Sequence, residues 1–156
     1  EGVPDGITID YDASQEIPPV PMDVEKLKQV VINIVRNGLE AMAKSGGVLR
    51  LRTRLCSRGG FGPPTLRLRT PGAAENRTKR GHIASARWVE VLIEDSGPGI
   101  EADHIGKLFI PFFTTKAQGT GLGLPICERI LREHRGEIEI DSVPGQGTRF
   151  LFRLPL

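Results

Sequence analysis

Residues Phe112-Phe113-Thr114-Thr115-Lys116-Ala117-Gln118-Gly119-Thr120-Gly121-Leu122-Gly123-Leu124 carry three alternate glycines straight into an apolar-periodic segment. Leu122, Ile126, Cys127, Ile130 and Leu131 recur at helical spacing. Glycine has no Cβ, so successive backbone N–H groups can turn toward one point. A helix starting there adds unpaired N–H groups and the positive end of its dipole. Together these suit a polyphosphate, with Lys116 just upstream as a mobile charge. A glycine-rich turn before an ordinary helix would read the same way, so the rest of the chain must decide.

The 156 residues suggest one domain, long enough for a sizeable hydrophobic core. A hydrophobic share of 38% and a charged share of 26% fit a globular chain and argue against disorder. Cys56 and Cys127 belong to no CxxC pair, so neither a disulfide framework nor a zinc site is indicated. No apolar run approaches the roughly 20 residues a membrane helix needs, and no signal peptide is visible. Glu1 in place of Met points to a fragment of a longer chain. Net charge is +2, yet residues 50–87 hold ten Lys/Arg against the single acid Glu75. Solvated arginines on exposed strand faces and a loop explain this better than a nucleic-acid partner.

Ile7–Asp12 alternates as a half-buried strand does, and Asp23 can N-cap a helix running to about Ala43. Leu27, Val30, Val31, Ile34, Val35 and Met42 form its buried side, and Ser45-Gly46-Gly47 stops it. Asn33, Asn37 and Glu40 share another stripe of this helix. Asparagine is a poor helix former unless its amide has a partner. A polar solvent face is the plain explanation; oxygen donors to a hard Mg²⁺ ion are the sharper one. Val48–Leu55 reads as a strand with a wet arginine face, and Leu66–Arg69 as its hairpin partner. Residues 56–86 form a basic Gly/Pro/Arg-rich excursion, expected to be mobile over Pro71–Ile83.

Trp88–Glu94 is the strongest strand and ends in Asp95-Ser96-Gly97-Pro98-Gly99-Ile100. A tight turn would explain the glycines, but an acid leaving a buried strand beside them could also sit under a flat ligand. Glu137–Val143 and Thr148–Leu154 are strands joined by Pro144-Gly145-Gln146-Gly147. His104 and His134 are lone histidines without metal-ligand spacing and read as structural, and His82, inside the basic excursion, reads as solvated.

Four blocks now stand in order: Asn33-x-x-x-Asn37, Asp95-x-Gly97-x-Gly99, Phe109-x-x-Phe112-Phe113 and Gly119-x-Gly121-x-Gly123. This arrangement resembles the catalytic ATP-binding domain of sensor histidine kinases, in the superfamily of gyrase, Hsp90 and MutL. Phe-Phe-Thr-Thr-Lys … Gly-Thr-Gly-Leu-Gly-Leu is most similar to the nitrogen-regulation type. The resemblance covers nearly the whole chain outside residues 56–86. Gly38 stands where alanine usually follows the asparagine and should soften the helix by up to ~1 kcal/mol. Arg135 interrupts a common His-Gly-Gly.

The resemblance implies an α/β (α+β) two-layer sandwich of the Bergerat type. Its sheet is mixed, mostly antiparallel, with helices packed on one face. One catalytic domain would span residues 1–156, with the dimerisation and phospho-acceptor domain lying upstream. Asp95 would accept a hydrogen bond from the adenine amine. Guanine offers an oxygen there, which predicts ATP over GTP by roughly one to two orders of magnitude. Gly97 and Gly99 would let the backbone approach the base, beside Ile100 and Leu122. Asn37 would ligate Mg²⁺, with Asn33 beside it. Thr115, Gly119, Thr120, Gly121, Gly123 and Thr148 would complete the nucleotide site, and Lys116 would offset charge near the γ-phosphate.

ATPase members of the superfamily place a water-activating glutamate where this chain has Asn33. A neutral amide takes up no proton near pH 7, so transfer to an outside nucleophile is favoured over hydrolysis. No histidine here sits in a phospho-acceptor setting. The expected partners are ATP or ADP, a histidine-bearing helical domain of the same protein and a response regulator. Neither nucleic acid nor membrane contact is expected of this domain, which would work in the cytoplasm. The alternatives are an ATPase switch and a docking module without kinase activity.

Overall fold

The computed structural model describes residues 2–13, 16–56, 68–69, 87–116 and 119–156, with backbone alone at 68–69. In chain order the elements are β1 (Ile7–Ala13), α1 (Val24–Met42), β2 (Gly47–Cys56), β3 (Leu68–Arg69) and β4 (Trp88–Asp95). They continue with α2 (Ala102–Ile105), α3 (Gly123–Glu133), β5 (Glu137–Val143) and β6 (Gly147–Pro155). The sheet runs β1-β2-β4-β6-β5-β3, and only β1 and β2 are parallel. Parallel neighbours need a crossover connection, and α1 supplies it. A two-layer architecture with a mixed, mostly antiparallel sheet is therefore what the chain adopts.

The period-2 and period-3.6 patterns meet at one interface. Val30, Ile34 and Met42 of α1 and Cys127, Ile130 and Leu131 of α3 pack on alternate sheet positions. Those positions are Leu49, Ile93, Ile138, Ile140, Phe150, Phe152 and Leu154. Each such side chain contributes on the order of 2 kcal/mol by leaving water. The Asp23 carboxylate accepts the Lys26 N–H at 3.2 Å and so caps α1. At the same end His134 accepts the Asp23 N–H through Nε2 (3.1 Å), while its Nδ1 faces the Ile130 carbonyl at 2.8 Å. Lys26 pairs with Glu133 at 2.8 Å, so the start of α1 is stapled to the end of α3. His134 is accordingly a structural histidine.

Two strand expectations need correction. Leu68 and Arg69 do not pair with β2; they run antiparallel to Ile140 and Glu139 of β5, at the far edge of the sheet. Both edges of β2 are already taken, by β1 and β4. Alternation marks a strand but says nothing about which edge will receive it. The arginine face of β2 is also less wet than its pattern suggests. Arg50 and Arg52 reach Asp10 at 3.5 Å, whereas Arg54 turns in to the fully buried Glu90 at 2.7 Å. Leu66 and Arg67, His82 and the expected mobile stretch Pro71–Ile83 lie outside the described residues.

Candidate functional site

Asp95 closes β4 on the face that α1 and α3 cover, and it is only 5% exposed. Its Oδ1 accepts the Gly97 N–H at 2.9 Å, and the Thr148 N–H also donates to the carboxylate. Burial pushes the Asp95 pKa upward, and the two backbone donors offset this only in part. Among the described residues no cation shifts the Asp95 carboxyl group, which keeps capacity to accept a further donor. Gly38 of α1 lies directly over it. A Cβ at Gly38 would stand 2.9 Å from Leu49 Cδ1 and 3.3 Å from Asp95 Cβ. The softening expected from Gly38 thus accompanies a close approach of helix to carboxylate. This brings Asn37, the preceding residue, to the same end of the molecule as Asp95.

The turn after Asp95 is stitched to the β5–β6 hairpin. Gly145 N–H donates to the Pro98 carbonyl at 2.7 Å, and Ile100 N–H donates to Ser142 Oγ at 2.9 Å. Ser142 in turn contacts Thr148 Oγ1 at 3.1 Å. Thr148 therefore serves the carboxylate through its backbone, while its side chain faces Ser142. Nothing in the sequence singled out Ser142.

On the neighbouring stripe of α1, Asn37 Oδ1 accepts a hydrogen bond from Lys116 Nζ at 2.7 Å. The same ammonium lies 2.5 Å from Glu40 Oε2. An amide oxygen already facing a cation, beside a carboxylate, is a donor set that fits Mg²⁺. Among the described residues no three His, Cys, Asp or Glu side chains gather into a metal site. A metal held by Asn37 would therefore need oxygens from a ligand as well. One turn back, Asn33 faces α3: its Nδ2 lies 3.5 Å from the Gly123 carbonyl and 3.7 Å from Cys127 Sγ.

The glycine stretch forms the third wall. Gly121 has φ +66°, and a Cβ there would run into the Phe112 backbone. Phe112 itself has φ 68° and donates its N–H to the Gly121 carbonyl at 3.0 Å, closing the neck of the loop. α3 then starts at Gly123 with no side-chain cap on its first turn. The N–H groups of Gly123 and Leu124 are therefore free of an intrahelical partner. Gly119 differs from the simple cradle, because its N–H donates to the Lys116 carbonyl at 3.1 Å. Thr115 and Thr120 are exposed, while Ile100 and Leu122 are half-buried.

A buried acid, an amide–carboxylate stripe and an uncapped helix start thus converge around α1. The family model for histidine kinase-, DNA gyrase B-, and HSP90-like ATPases matches residues 22–156. The chain belongs to that family. Among its relatives is the sensory histidine kinase/phosphatase NtrB of Rhodobacter capsulatus, 39% identical over 150 residues. The match covers 96% of this chain and 36% of NtrB. Sporulation kinase C of Bacillus subtilis is 37% identical over 134 residues, 86% of this chain and 24% of that one. The chain therefore spans about a third or less of the length of these two relatives. Among solved structures, the catalytic domain of histidine kinase ThkA has a TM-score of 0.67 and 30% identity. That match covers 96% of this chain and 79% of ThkA's solved chain. Within its family the chain is an ATP-binding catalytic domain of the sensor-histidine-kinase type. Among the described residues no helix is long and apolar enough to cross a membrane.

Proposed function

We propose that this domain binds ATP with Mg²⁺ and passes the γ-phosphoryl group to a histidine on a separate helical domain, which then serves a response regulator. The observation that carries this reading is the shared location of Asp95 and Asn37, one under Gly38 and the other beside it in the chain. Asp95 accepts the exocyclic amine of adenine and rejects the guanine oxygen. Gly97, Gly99, Ile100 and Leu122 border the base, and Thr148 braces the carboxylate that reads it. Asn37 offers its amide oxygen to Mg²⁺, which when bound neutralises phosphate charge and orients the triphosphate. Asn33 keeps the start of α3 against α1. Gly121, Gly123 and the uncapped turn of α3 receive phosphate oxygens, with Thr115, Gly119 and Thr120 flanking them. Lys116 supplies a positive charge near the γ-phosphate. ATP as substrate puts the domain on the cytoplasmic side of the cell.

Transfer is favoured over hydrolysis because the α1 stripe offers no free base. Asn33 cannot accept a proton near pH 7. Glu40 pairs with Arg36 of its own helix at 3.4 Å, a contact that does not depend on where Lys116 sits. Titration of ATP, ADP and GTP with and without Mg²⁺ tests the binding. ATP should exceed GTP by roughly 10- to 100-fold, and Asn37→Ala should abolish the Mg²⁺-dependent part. Phosphoryl transfer to a supplied histidine hairpin tests the chemistry. Equal affinity for ATP and GTP, or steady phosphate release with no acceptor present, would sink the proposal.

A further inference from the structure

Glu40 is the chemistry-bearing residue on the α1 stripe that the proposed reaction leaves without a task. Its Oε2 lies 2.5 Å from Lys116 Nζ, whose other partner is Asn37 Oδ1 at 2.7 Å. Lys116 belongs to the segment between Phe112 and Gly121. Its own N–H donates to Thr114 Oγ1 at 3.1 Å, and its carbonyl accepts the Gly119 N–H. Thr114, Lys116 and Gly119 are thus hydrogen-bonded to one another, and the Lys116 side chain ties the stretch Phe112–Lys116 to Asn37 and Glu40 on α1.

An ammonium and a Mg²⁺ ion cannot share one amide oxygen, because two like charges would meet there. If Asn37 takes the metal, Lys116 needs a second seat, and the triphosphate offers it one. Glu40 cannot follow: it is fixed to α1 and repels the phosphates. We infer that Glu40 is a positioning residue that holds Lys116, and with it the stretch Phe112–Lys116, on α1 until a metal–triphosphate claims Asn37. The inference rests on the proposed nucleotide reading. Both partners are well exposed, at 42% and 47%, so water screens the pair. It is strong enough to bias the segment a few-fold and weak enough for nucleotide to break.

Tryptic cleavage after Lys116, followed by mass spectrometry on the whole chain without nucleotide, reads the tether directly. Glu40→Gln keeps the shape and removes the charge, so cleavage should quicken about two- to five-fold, the range of an exposed ion pair. Glu40→Asp should fall between parent and Glu40→Gln, with all three melting at the same temperature. Glu40→Gln should also bind metal-free ATP two- to five-fold more tightly. That gain should shrink by at least half in a Lys116→Met background, since relief of plain phosphate repulsion would survive there undiminished. Equal cleavage of parent and Glu40→Gln overturns the tether. Loss of Mg²⁺-dependent ATP affinity in Glu40→Gln as severe as in Asn37→Ala also overturns it, making Glu40 a metal ligand. Absence of any ATP binding by the parent defeats the nucleotide reading instead, and the cleavage comparison still reports whether Glu40 holds Lys116.

Discussion

β4 buries two carboxylates on opposite faces, and they live under opposite rules. Glu90, on the face away from the helices, is fully buried and held by two arginines, Arg153 at 2.6 Å and Arg54 at 2.7 Å. Arg153 also reaches Glu139 at 2.9 Å, so the far face carries a closed charge network. Asp95, on the helix face, has two backbone N–H donors and, among the described residues, no cation. A carboxylate buried with counter-charges is satisfied within the fold. One buried with backbone donors alone keeps acceptor capacity for a ligand. Burial of an acid therefore does not mark a site by itself; the shortage of positive charge does.

Exchanging the effects of these two acids is the way to break that contrast. Glu90→Ala leaves Arg153 with less than its charge needs and should cost about 3 kcal/mol, a Tm drop of roughly 10 °C. Affinity for ATP should stay within twofold. Asp95→Asn should do the reverse, weakening ATP binding by roughly 10- to 100-fold while stability moves by less than about 1 kcal/mol. Thermal melts and nucleotide titrations on both variants decide it. The contrast fails if Glu90→Ala loses nucleotide or Asp95→Asn loses the fold.

A smaller effect follows from pH. Burial raises the pKa of Asp95 in the folded chain above its ordinary value near 3.8, so the folded state holds its proton to higher pH. The burial cost is absent below that ordinary range and complete once pH has passed the raised value. Asp95 should therefore lower the stability of the parent as pH rises through this window. Asp95→Asn should lack that slope, and denaturant unfolding at several pH values would show parallel curves if the idea is wrong. The smallest signal comes from Cys127, under Asn33. Burial pushes its thiol up to about 11, so at pH 8 only about one part in a thousand is thiolate. Thiol reagents should modify it at an appreciable rate only after unfolding; rapid labelling of Cys127 in the native protein would show that the α1–α3 junction opens.

Much of this was legible in one dimension. The glycine-rich blocks, the Asn33/Asn37/Glu40 stripe and the acid ending β4 each carry a local pattern, and the helix and strand periods followed side-chain burial closely. The errors and omissions were matters of neighbourhood. Leu68–Arg69 found β5 because β2 had no free edge. Glu90 drew no attention in the sequence, and its meaning rests on Arg54 and Arg153, 36 and 63 residues away, closing on it. Ser142, a plain strand serine, supports the Asp95 turn and Thr148 from across the hairpin.

The sequence by itself determined the element types, because periodicity, capping and glycine content act locally, and its four ordered motifs carried the resemblance that implied the layered architecture and the proposed nucleotide residues. Tertiary structure alone decided which acid is neutralised and which is left receptive. It also decided that Gly38 admits Asp95 beneath α1 and that Lys116 rests on Asn37 and Glu40. Those outcomes depend on distances between residues far apart in the chain, and charge pairing and close packing are set by such distances.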